Sequence, residues 1–223
     1  MIVVDLEMSG MDYERCGIVE IGAIDTETKE EFFEEARLGE GFMVINNDTA
    51  ERTVLEVLGR TEEQLRTKDK QDEKNLLEHF FKWCQKTRVK NFICQHPHAD
   101  IAFLEQRARI NKLDFPFLSY KAFDMHTIGQ MKFLFLNGEF SFKDKAGETQ
   151  SSMSLGSILN LAGMKDNRGN SHNALEDAKL TAEAFSRIVY GKGMLEEYNK
   201  FKIPDSLIKS NLGEDVPKKP QVS

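Results

Sequence analysis

The chain has 223 residues, 40% of them hydrophobic and 30% charged, with a formal net charge of −7 at pH 7. That composition is ordinary for a soluble globular protein, and the length suffices for one sizeable core. The acidic balance excludes a broad basic face that grips duplex nucleic acid without specificity, so any nucleic-acid partner would be held locally, for example through a bound divalent cation.

Three cysteines, Cys16, Cys84 and Cys94, lack zinc-motif spacing and read as thiols of a reducing compartment. There is no apolar run of about 18 residues and no basic-then-apolar leader, so the sequence points to a cytoplasmic protein without a membrane span.

In chain order, "IVVDLEM" predicts a first strand rich in β-branched residues, "GIVEIGAID" a second, and "EEFFEEARL" a third returning after a turn. Together they predict an antiparallel meander. A loop over 39–47 follows, then short helical stretches over 50–58 and 62–65. "DEKNLLEHFFKWCQKT" carries apolar residues at 76, 77, 80, 81, 83 and 84, one face of a helix. "VKNFICQ" reads as a strand and "ADIAFLEQRARI" as a helix opened by Asp100. "FKDKAGETQSS" reads as a polar loop. "SLGSILNLAGM" reads as a short helix, and "SHNALEDAKLTAEAFSRIVYG" as a long one ending at glycine. The expected architecture is α/β, a mixed sheet of antiparallel meander plus parallel strands flanked by helices. A domain over 1–193 is expected, with 194–223 forming a short helix and a flexible polar tail.

Two carboxylates interrupt the first strand. Asp5 and Glu7 share one strand face with Val3, their Cα atoms roughly 6.6 Å apart. D-x-E occurs three times in the chain, but Asp12/Glu14 and Asp25/Glu27 lie in polar, turn-like surroundings. Like charges this close on a half-buried strand repel, and a divalent cation turns that conflict into a binding site; oxygen donors at this density suit Mg²⁺ or Mn²⁺. In "SHNALED", His172 and Asp177 stand five apart. Inside one helix they would point about 140° apart. They converge if His172 precedes the helix, with Asn173 as N-cap and Glu176 three residues on. A histidine beside a metal-bound carboxylate can act as a general base. In "QHPHAD", Asp100 falls where a helix dipole favours a carboxylate, and His96 and His98 read as turn histidines.

The order of these pieces resembles the DEDDh-type 3′–5′ exonucleases of the ribonuclease H-like fold. "VVDLEMSG…IVEIGAI" resembles the first motif, "ADIAFLEQ" the second and "HNALEDAKLTAEAF" the third, with "AFDMHTI" and "SLGSILNLAGM" resembling the connecting strand and helix. The resemblance spans about residues 2–190. It implies four metal-binding carboxylates, Asp5, Glu7, Asp100 and Asp177, around two Mg²⁺ or Mn²⁺ ions roughly 4 Å apart, with His172 as general base. It also implies that Met8, Ser9 and Gly10 contact the terminal nucleotide. The implied substrates are 3′ ends of single-stranded DNA or RNA, cut to nucleoside 5′-monophosphates. A homodimer and a polymerase partner stay open, and the alternative is a catalytically idle binding module on the same fold. One departure stands out: the family's second motif usually reads H-N-x-x-F-D, whereas His96 and Ala99 replace its Asn and Phe here. Asp124 reads as structural support rather than a ligand.

Overall fold

The computed structural model describes residues 1–46, 52–115, 121–145, 147–169 and 171–209. Its strands are β1 (Ile2–Met8), β2 (Ile18–Asp25), β3 (Glu31–Glu35), β4 (Phe92–Cys94), β5 (Phe123–Asp124), β6 (Phe142–Lys145) and β7 (Glu148–Ser151). Its α-helices are α1 (Val54–Leu58), α2 (Glu62–Leu65), α3 (Glu73–Lys86), α4 (Pro97–Ile110), α5 (Met125–Asn137), α6 (Leu155–Leu161), α7 (Ala174–Tyr190) and α8 (Asp205–Lys209).

The chain packs as two compact units, one of Met1–Met125 with Asn167–Ala182, the other of His126–Asp166 with the chain from Glu183 on. The first holds a five-stranded sheet in the order β3-β2-β1-β4-β5. β1, β2 and β3 pair antiparallel, and β4 joins β1, and β5 joins β4, in parallel. This is the expected mixed sheet of the ribonuclease H-like fold. Its two faces differ chemically because side chains alternate along a strand. Ile2, Val4 and Leu6 point into the main core with Leu76, Leu77 and Phe80 of α3 and Phe103 and Leu104 of α4. Each such side chain contributes about 1.5–3 kcal/mol on burial. Val3, Asp5 and Glu7 share the other face with the β2 residues opposite them, Ile24, Gly22 and Glu20.

The pairing slips between Glu7 and Met8, so that Ile18 rather than Val19 stands opposite Met8. This bulge re-aims the chain just past the two acids. The start of β2 is held from below by a buried ion pair. Glu73 accepts from the Arg107 guanidinium (Nη2, 2.6 Å), from the Ile18 amide (2.9 Å) and from Asn111 (2.9 Å). These bonds tie α3, α4 and β2 together.

Several elements differ from the sequence expectation. α4 begins at Pro97, since proline suits the first helical position, and Asp100 therefore lies within its first turn. α5 carries a glycine and two phenylalanines, Phe133 and Phe135, spaced two apart, which blur the helical period; Gly129 is needed there because a Cβ would lie 2.7 Å from Met153 Cγ. The stretch expected as a polar loop forms the β6–β7 hairpin, whose strands are exposed on both faces and so lack an apolar alternation. In "MLEEYNKFKIP" only a 3₁₀ turn forms, over Glu196–Tyr198. The polar stretch from Asp205 begins with α8, which buries Leu207. The expected tail over 210–223 lies outside the described residues, as do 47–51, where the loop and first short helix were expected to meet.

Candidate active site

Five polar side chains of the first unit converge on the Asp5/Glu7 face of β1. Gly22 explains how they can. A Cβ there would lie 2.1 Å from the backbone carbon of Ala174 and the nitrogen of Leu175, so the first turn of α7 rests directly on bare β2 backbone. Beside it, buried Glu20 accepts the Ala174 amide at 3.3 Å, capping the helix from the sheet. Glu20 also pairs with Arg60 at 2.6 Å, and Arg60 reaches on to Glu35. Asn173 accepts the Glu176 amide at 3.0 Å, the expected N-cap. His172 thus precedes α7, and its own amide donates to the Val57 carbonyl of α1 at 2.8 Å. Asp177, in the first turn of the helix, is buried and brought over β1.

His172 Nδ1 lies 3.4 Å from Asp177 Oδ2. Glu7, His172 and Asp177 each offer a donor atom within 4.8 Å of the others. Asp100 lies close enough to Asp5 to raise its carboxyl. Burial raises the Asp5 carboxyl well above its usual range, and the charges of Asp100, Glu7 and Asp177 add to that. Glu7 is pushed up to about 8, first by burial and then by Glu20, Asp177 and Asp100, against the pull of Arg60. Burial raises Asp100 to about 7, although the amides of Leu6 and of Asp100 itself pull the other way. Four acids from β1, α4 and α7 therefore crowd into one poorly solvated place, where burial and neighbouring carboxylates resist the ionisation of Asp5 and Glu7. Arg168, largely buried, donates to Asp177 Oδ2 at 3.1 Å and opposes the rise at Asp5.

The residues just past the first motif differ in their surroundings. Ser9 is fully buried; its hydroxyl donates to the Met43 carbonyl at 2.7 Å and accepts the Gly17 amide at 3.0 Å. Gly10 is buried with φ +150°, and a Cβ would lie 2.5 Å from the Ile45 carbonyl oxygen. Ser9 thus closes the loop against the chain near 43–45. Met8 and Gly10, with Glu7, Met11, Ile45 and Arg52, line a small cavity of about 240 Å³ that reaches the acids at Glu7.

A protein-family model described as RNase_T, exonuclease, matches residues 2–185. The chain belongs to this exonuclease family. Its fold resembles that of E. coli exonuclease I in complex with a dT13 oligonucleotide (TM-score 0.60, 14% identity), covering 83% of this chain and 40% of that one. It also resembles the nuclease domain of 3′hExo, a DEDDh family member bound to rAMP (TM-score 0.57, 16% identity, 91% and 94% covered). Cell-death related nuclease 4 is similar too (TM-score 0.58, 12% identity, 84% and 62% covered). At these identities the likeness is one of fold, and the chain spans about two fifths of exonuclease I. A search of curated proteins finds no match.

For a member of the exonuclease family the donor set has a clear chemical meaning. Three carboxyls raised by burial, Asp5 and Glu7 also by neighbouring carboxylates, are favoured in their charged form by positive charge nearby, and oxygen donors at this density suit a hard divalent cation. The consequence for stability has a definite sign. Carboxyls whose folded pKa exceeds the unfolded value bind protons in the native state that the unfolded chain has lost. Stability therefore falls as pH rises from the ordinary value of 4.5 through about 8 at Glu7. Metal-free protein should melt about 5 °C or more lower at pH 8.5 than at pH 5.5. Mg²⁺ or Mn²⁺ should recover most of that loss at the higher pH. Calorimetry at the two pH values, with and without metal, checks this; a metal-free melting temperature that does not fall contradicts it.

Sequence reasoning on the exonuclease motifs missed Glu20, Gly22, Arg60 and Arg168. The first two had a signal: a Glu and a Gly two apart on the strand predicted to pair with the D-x-E strand. Arg60 and Arg168 had none, because each sits in a loop and acts only through folding. Among the described residues no helix is long and apolar enough to cross a membrane, and the three cysteines are free and buried.

Proposed function

We propose that the protein is a metal-dependent 3′–5′ exonuclease that hydrolyses single-stranded DNA or RNA from the 3′ end to nucleoside 5′-monophosphates. The observation that carries this reading is the convergence of Asp5, Glu7, Asp100 and Asp177 with His172 on one face of β1, in a chain of the exonuclease family. The four carboxylates would hold two Mg²⁺ or Mn²⁺ ions. Bound there, such ions supply charge neutralisation of the phosphodiester and acidify water.

The protein's own residues supply the rest. Asp177 orients the His172 ring through Nδ1, leaving Nε2 to take the proton from the attacking water as the new P–O bond forms. The bond to the departing 3′-oxygen breaks, and that oxygen takes up a proton from solvent. The cavity by Met8 and Gly10 would receive the terminal nucleotide, with Ser9 contributing by fixing the loop. Arg168, already on Asp177, holds that carboxylate in place and adds a positive charge where the phosphate would arrive. The domain responsible is proposed to run to residue 193 with 194–223 as an appendage, in a cytoplasmic setting that suits three free thiols.

Two measurements test the roles. Products separated by chromatography should be nucleoside 5′-monophosphates; 3′-phosphates would contradict the direction of cleavage. His172→Ala should lower kcat by about 10²–10⁴-fold, with Mn²⁺ affinity by titration calorimetry within about threefold of wild type. If the substitution removes the affinity instead, His172 is a ligand rather than the base, as its place within the 4.8 Å group would allow.

A further inference from the structure

Three hollows follow one another across the surface of the first unit. The cavity beside Glu7 shares Met11 and Ile45 with a second of about 570 Å³. The second shares Tyr13 with a third of about 670 Å³ along α4, where Arg109 and Lys112 provide positive charge. Met11 is 58% exposed and Tyr13 45% exposed, each at a junction. Tyr13 is held in place while it is exposed: its ring meets the buried Phe103 ring perpendicularly, centroids 6.2 Å apart. Its loop is pre-shaped because Asp12 accepts the Glu14 and Arg15 amides, each at 3.0 Å, and pairs with the Arg15 guanidinium.

The path follows α4. Asp100 lies in its first turn and Arg109 nine residues on, roughly 14 Å along the axis and half a turn round it, so a strand leaving the acids passes over the side of the helix that Tyr13 covers before it meets Arg109. That is room for a short run of nucleotides rather than one. Asp12 and Glu14 line the second hollow, and Glu105 and Asp114 the third, so neither is a general anion trap; what the third offers is two exposed cations beyond an exposed aromatic ring. An aromatic platform followed by cations is the chemistry that grips single strands without reading their sequence.

We propose that these hollows form the bed of the single strand upstream of the 3′ end, with Tyr13 stacking on a base and Arg109 and Lys112 holding phosphates. The proposal rests on the exonuclease reading and assigns it a minimum substrate: a run of several unpaired nucleotides, DNA or RNA alike. Contact with both cations requires the strand to extend past Tyr13, so a dinucleotide would engage only the cavity beside Glu7.

The test compares binding of a phosphorothioate-linked dinucleotide and octanucleotide, both resistant to hydrolysis, by calorimetry in Mg²⁺. Wild type should bind the octamer at least about tenfold tighter. In Tyr13→Ala/Arg109→Gln/Lys112→Gln the two affinities should come within about threefold of each other, whereas Tyr13→Phe should keep the wild-type ratio. In Arg109→Gln/Lys112→Gln the salt slope for the octamer should fall by about 1.4, the value for two phosphates of a single strand. A wild-type protein indifferent to length, or an unchanged ratio in the triple variant, overturns the proposal. Because binding is read without turnover, the two failures separate. Length-dependent binding with no hydrolysis of ordinary oligomers would sink the exonuclease reading alone, and hydrolysis without length dependence would sink the strand bed alone.

Discussion

Asp5→Asn should abolish turnover while leaving the protein at least as stable as wild type without metal. The two halves of this result have one cause. The side chain keeps its size and loses its charge. It sits where burial, Asp100, Glu7 and Asp177 all resist ionisation, so the neutral amide relieves repulsion that the folded chain otherwise carries. The metal-free melting temperature should hold or rise at pH 8. The same charge is what a cation needs. Removing it should weaken Mn²⁺ binding and lower kcat/KM by on the order of 10³-fold or more, as expected when a principal electrostatic element of a transition state is lost. Steady-state kinetics, metal titration and calorimetry on one variant read all three. A variant that loses activity by unfolding would make Asp5 a structural residue, and one that keeps activity would remove it from the site.

Gly22→Ala carries the second large effect, from a residue that touches no substrate. The added methyl would lie 2.1 Å from backbone atoms of Ala174 and Leu175, which cannot swing aside as a flexible side chain can. The first turn of α7 must lift. Asp177 and His172 move with it, and Glu20 loses its bond to the Ala174 amide. Overpacking of this kind costs about 1–3 kcal/mol, and a displacement of about 1 Å at a catalytic group costs about 10²-fold in rate. Stability by denaturant titration and kcat should both fall, with Mn²⁺ affinity reduced through Asp177. Wild-type activity in Gly22→Ala would show that the tight seating of α7 on β2 has no part in aligning the site.

The parts of the site legible in sequence are those that announce themselves locally. Asp5 and Glu7 stand out because charge in an apolar strand is costly, and two-residue spacing alone puts both on one face. His172 and Asp177 are legible because Asn173 and Glu176 fix where the helix begins, and the structure puts that start at Ala174. The three-strand meander follows from β-branched runs and turns. What could not be read needs the third dimension. Glu20 looks like one more polar residue until Ala174 and Arg60 arrive from distant parts of the chain. Arg168 looks like a loop cation until it is found on Asp177. The β6–β7 hairpin buries neither face, so no periodicity betrays it, and α5 hides behind aromatic residues and a glycine.

The central claim is tested most directly with 5′-labelled single-stranded RNA and DNA oligomers of equal sequence, incubated with Mg²⁺, with Mn²⁺ and with EDTA, beside an Asp5→Asn/Asp177→Asn control, and resolved on a sequencing gel. The account predicts a ladder shortening one nucleotide at a time from the 3′ end, dependent on metal and absent from the control. Intact oligomers of both kinds in the presence of bound metal would contradict it and leave a nucleic-acid-binding module on an exonuclease fold.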